Sequence, residues 1–72
     1  MNPTIHLLDV IALTSDVPEK SLSRGQVGTV VEVYDDGQYE VEFVDEEGRT
    51  YALEALDGSQ LMVLRYRPEH AA

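Results

Sequence analysis

Apolar and polar residues alternate through Gln38-Tyr39-Glu40-Val41-Glu42-Phe43, which places Tyr39, Val41 and Phe43 on one face of an extended chain and the carboxylates on the other. The pattern predicts a half-buried β-strand. Upstream, Gly28-Thr29-Val30-Val31-Glu32-Val33-Tyr34 is rich in β-branched residues, which suit a pleated surface, and downstream Thr50-Tyr51-Ala52-Leu53-Glu54 alternates again. Residues 9–13 and 61–66 supply a first and a last strand, and no helical period lies between the five. The expected class is all-β.

The turns set a register. Tyr34-Asp35-Asp36-Gly37-Gln38 suits a type I turn followed by Gly37 in the left-handed region, a three-residue hairpin loop that pairs Tyr34 with Gln38. Counting back sets Val33 against Tyr39, Val31 against Val41 and Thr29 against Phe43, so that each inward residue meets another. Asp45-Glu46-Glu47-Gly48-Arg49 takes the same turn and pairs Asp45 with Arg49, Phe43 with Tyr51 and Val41 with Leu53. Together these registers align Glu32, Glu40 and Glu54 in one row across three strands. Like charges directly opposite one another destabilise a sheet.

Residues 14–26 form a long excursion in which Pro18 argues against a central strand, Leu22 is expected to plug one end of a barrel, and Gly25 and Gly28 permit tight entry into the second strand. Leu56-Asp57-Gly58-Ser59-Gln60 reads as a single helical turn before the last strand, and residues 68–72 as a frayed end.

Length and charge narrow the classes. The chain has 72 residues, room for one small domain, with no internal repeat. Fourteen acidic against five basic residues give a net charge of −9, which disfavours nucleic acid and anionic membranes as partners. No cysteine occurs, so disulfides and thiolate chemistry are absent. The apolar runs are too short to span a bilayer and the first residues lack a signal-peptide pattern, so a soluble cytoplasmic protein is expected.

The order of a long first loop, two hairpins, a short helical turn and a closing strand is similar to that of an SH3-like barrel. Leu22-Ser23-Arg24-Gly25-Gln26-Val27-Gly28-Thr29-Val30-Val31 resembles a KOW-type entry and the barrel of the nitrile hydratase beta chain. Leu8-Asp9-Val10, the run from Arg24-Gly25-Gln26 to Val33-Tyr34, Tyr39-Glu40-Val41-Glu42-Phe43 and Gly48-Arg49-Thr50-Tyr51-Ala52-Leu53 resemble a family of small bacterial proteins catalogued as domain of unknown function 4926, over residues 7–64. The resemblance implies a stand-alone five-stranded barrel over residues 7–66, with genes beside toxin-like partners, and it brings no catalytic residue.

Candidate chemistry is sparse. Asp35-Asp36 and Asp45-Glu46-Glu47 fit solvated turns; a divalent-cation site is the alternative, but the spaced ligand pattern of a calcium loop is missing. An acid–base pair of Glu32 and Glu40 would need a shielded cleft, not expected in so small a chain. His6 and His70 read as surface or packing residues, and Gly25-Gln26-Val27-Gly28 is strand entry and not a phosphate loop. Arg24, Arg65 and Arg67 are expected to offset nearby acids. No cofactor, metal or enzymatic activity is expected. The leading expectation is a docking surface for a basic protein, formed by Glu32, Tyr34, Glu40, Glu42 and Glu54 with Val44 at its margin, in the manner of an antitoxin-like neutralising subunit. A structural or self-associating subunit using an edge strand with Ile11, Leu61 and Val63 is the second reading, and an RNA-binding module, opposed by charge, the third.

Overall fold

The alternating stretches are extended, and they pair in the chain order that the turns dictate. The computed structural model describes residues 4–66 and contains β1 (Val10–Leu13), β2 (Val27–Val33), β3 (Gln38–Val44), β4 (Thr50–Asp57) and β5 (Leu61–Val63). All pairings are antiparallel, in one sheet of order β4-β3-β2-β1-β5. The protein is therefore all-β, and its helical content among the described residues is two short 3-10 turns, Pro18–Lys20 in the first loop and Gly58–Gln60 before β5.

Both hairpins close as the turn chemistry predicts. Tyr34 N–H donates to Gln38 O at 3.0 Å and Asp45 N–H to Arg49 O at 2.8 Å, with Gly37 and Gly48 at φ +83° and +81°. Asp36 accepts from Gln38 N–H, and Asp45 accepts from Glu47 N–H and Arg49 N–H, which fixes each loop from within.

Beyond the turns the expected registers fail by one residue, twice. On β2, Val33 faces Tyr39 and Glu32 faces Glu40 as expected, but Val31 is extra, so Val30 faces Val41 and Gly28 faces Phe43. On β4, Tyr51 is extra, so Ala52 faces Phe43, Glu54 faces Val41 and Ala55 faces Glu40. A bulge bends its strand and sharpens the local twist. The core shows what is gained: Val30, Val41 and Phe43 are completely buried together, and Tyr51 leans on Phe43 with ring centroids 6.1 Å apart. Gly28 permits the close approach of β2 to β3, because a Cβ there would lie 2.6 Å from Val41 Cγ1 and 2.9 Å from Glu42 O.

Ile11, Leu13, Val17, Leu22, Val30, Val41, Phe43, Leu56 and Leu61 make up the core. Leu22 is buried in the core, joined to the buried Val17 by a bridge, but there is no closed barrel end for it to plug. The expected barrel, however, is not closed. β4 and β5 are the two outer strands and share no ladder. β5 has only three residues and pairs with β1 through Ile11–Val63, Ala12–Met62 and Leu13–Leu61. The proposed frayed end at residues 68–72, with His70 and Arg67, lies outside the described residues.

Candidate functional site

Pairing order sorts the side chains of the outer, non-core face into rows. One row holds Met62, Ala12 and Val27, with Val44 and Thr50 alongside, since Val27 and Val44 lie one step beyond the Gly28–Phe43 pair. The next holds Val10, Thr29, Glu42 and Leu53, and the third Glu32, Glu40 and Ala55. The face therefore grades from apolar to acidic. Four of its apolar members stand in solvent: Leu53 is 54% exposed, Met62 52%, Val27 46% and Val44 45%, while Ala12 is buried.

At the acidic end Glu32 and Glu40 sit directly opposite each other, as expected. Tyr34 reaches over from the hairpin and donates its hydroxyl to Glu40 Oε1 at 2.9 Å. This bond, with the neighbouring negative charges, raises the Tyr34 hydroxyl above its ordinary pKa. Glu42 lies two residues along β3 on the same face and accepts from the Thr50 hydroxyl. Four of the five expected residues are thus together. Glu54 is not among them, because the Tyr51 bulge turns it to the core side. There it faces Val41, and Lys20 Nζ stands 3.4 Å from its Oε1.

Met62, Val27 and Leu53 are the residues that the sequence reading missed. Leu53 was assigned inward, opposite Val41, by a register that ignored the bulge. For Val27 the signal available was the pair Val30-Val31, where two β-branched residues compete for one inward place, whereas the bulge at Tyr51 that turns Leu53 outward has no such mark. Ile11 and Leu61, offered as an association surface, are core residues, and Val63 is half-buried against them.

Elsewhere the carboxylates serve local structure. Asp45 and Glu47 both meet Arg49, and His6 N–H donates to Asp9 Oδ2 at 2.8 Å. Among the described residues, no three His, Asp or Glu side chains converge to hold a metal ion, and no helix is long and apolar enough to cross a membrane. A half-open groove of about 440 Å3 runs between Ile5, Tyr39, Asp57, Gly58, Ser59 and Leu61, against the expectation of no cleft. Its carboxylate is already engaged. Asp57 caps the Gly58–Gln60 turn by accepting from Ser59 N–H at 2.9 Å, and the Ser59 bonds, with a further one from Gln38, hold it below its ordinary pKa.

No curated protein and no solved structure matches this chain. The family model described as Domain of unknown function (DUF4926) matches residues 7–63, most of the chain, and the protein belongs to that family.

Proposed function

We propose that this protein is a non-enzymatic interaction module that docks a basic partner protein on the outer face of its sheet. The observation that carries the reading is the grading of that face, with exposed Met62, Val27, Val44 and Leu53 next to the opposed carboxylates of Glu32 and Glu40. Exposed apolar side chains gathered on one face mark interaction sites, and a charged flank selects the partner and speeds encounter. Holding Glu32 and Glu40 opposite each other costs stability in the free protein, and an arginine or lysine laid between them removes that cost. The narrower form, in which the module neutralises a toxin-like partner, is supported by the gene neighbourhoods implied by the resemblance.

The test starts with the protein purified from its native host at low and moderate salt, with the bound basic protein identified by mass spectrometry and re-purified. Replacing Glu32, Glu40 and Glu42 by Gln is expected to weaken its binding on the order of tenfold or more and to flatten the salt dependence. Unaltered affinity in the triple variant would remove the acidic face from the mechanism.

A further inference from the structure

We propose that the free edge of β4 accepts an extended, basic segment of a partner protein as an added strand, and that Lys20 is the guard displaced when it does so. β4 is the longest strand, it stands at the end of the sheet, and its ladder runs to β3 alone. Successive residues of a strand direct their backbone groups to alternate sides. Lys20 Nζ donates to Ala55 O at 2.8 Å from the side away from β3, so Ala55, and with it Leu53, aim N–H and C=O outward. Such a row is a template for another strand. β5, the opposite edge, offers only three residues.

Proteins protect such edges with proline, with lysine in the strand, with bulges or with a covering loop. β4 has neither proline nor lysine, and its bulge at Tyr51 comes before the regular stretch from Ala52 to Asp57. The protection comes from Lys20, carried by the Pro18–Lys20 turn of the long loop and bonded to Ala55 O beside Glu54. It is a single side chain, held by that bond and by its ion pair with Glu54.

Charge selects the occupant. Along this edge lie Glu54 and Asp57, with Glu46 and Glu47 in the preceding turn and Glu40 and Glu42 on the strand behind. A second copy of β4, paired antiparallel through Leu53 and Ala55, would bring Glu54 against its own counterpart. An extended segment with arginine or lysine at alternate positions sets a cation at Glu54 in place of Lys20 and lays its backbone on Leu53 and Ala55. This inference shares the basic partner of the proposed function but assigns it a different surface.

The full chain, isotope-labelled, is titrated with a short peptide alternating arginine and valine, and with a glutamate–valine peptide as control, while backbone amide resonances are followed. The arginine peptide is expected to shift the amides of Leu53 and Ala55 most, and the control peptide to shift nothing. Lys20→Met is expected to tighten binding on the order of fivefold, the scale of one or two modest hydrogen bonds lost by the guard. Arg49→Met, which removes a cation from the neighbouring turn, should not match that gain. Leu53→Pro deletes an N–H that the β3 ladder does not use and should abolish binding while β1 and β2 amides keep their positions; if that variant fails to fold, the Lys20→Met and Arg49→Met comparison decides. Shifts confined to Glu32, Glu40 and Glu42 would overturn the edge site and leave the outer face standing. The edge proposal would also fail with no binding, with equal tightening in Arg49→Met, or with the free chain self-associating through β4. Edge shifts alongside unaltered partner affinity in the outer-face Gln variants would instead retire the outer face alone.

Discussion

Gly28 carries no side chain because β3 leaves no room for one. A Cβ would fall within contact of Val41 Cγ1, the Glu42 carbonyl and Phe43 Cδ2. Gly28→Ala is therefore expected to destabilise the fold by about 1–3 kcal/mol, read as a lower urea midpoint with an unchanged slope. The need for this glycine is invisible in its own neighbourhood, since it arises from residues some fifteen positions on. Gly37 and Gly48 differ in this respect: each lies in a turn whose flanking Asp residues announce a left-handed position, so their roles were legible locally. The same contrast holds for the acids. Glu32 and Glu40 are close to their turn and were placed correctly, whereas Glu54 lies beyond a bulge and was assigned to the wrong face.

Among the elements, the strands and their order followed from alternation and turn chemistry, and the bulges did not. Val30 and Val31 are equally apolar and β-branched, so sliding the pairing by one residue changes neither the composition nor the alternation of what meets Val41. The choice is made by three-dimensional packing around Phe43. The Gly58–Gln60 turn, by contrast, shows its cap in sequence: Asp57 accepts from Ser59 N–H while Gln60 Oε1 accepts from Asp57 N–H at 3.1 Å. Because these bonds hold the Asp57 carboxyl below its unfolded pKa, they contribute stability above that value, and it is lost as pH falls through the folded one. Asp57→Asn is expected to be less stable than the native chain at neutral pH, with the gap closing below about pH 4. Urea midpoints measured at neutral and acid pH check this; a gap independent of pH would remove the carboxylate charge from the cap.

For the whole molecule, nine excess negative charges on 72 residues make self-repulsion a property of the fold and not of one site. Raising sodium chloride from about 0.01 M to about 0.15 M shortens the Debye length from about 30 Å to about 8 Å. The thermal midpoint is expected to rise over that range, and Glu32→Gln with Glu40→Gln to recover part of the rise at low salt. A midpoint that fell or stayed level would show that paired charges such as Lys20–Glu54 outweigh the repulsion. The sheet's openness belongs to this scale too. A closed barrel was the expectation; the sheet stays open because β4 and β5 share no ladder, which no turn or periodicity in residues 61–66 revealed. The contact between Lys20 and the Ala55 carbonyl has a chemical corollary. Lys20 is the sole lysine of the sequence, so the protein owns a single side-chain amine, and that amine is committed to a hydrogen bond. Acylating reagents, and any enzyme that modifies lysine, meet one side-chain address on the folded chain, and the rate at which that side chain reacts is a clock for how often the loop lets go of the strand.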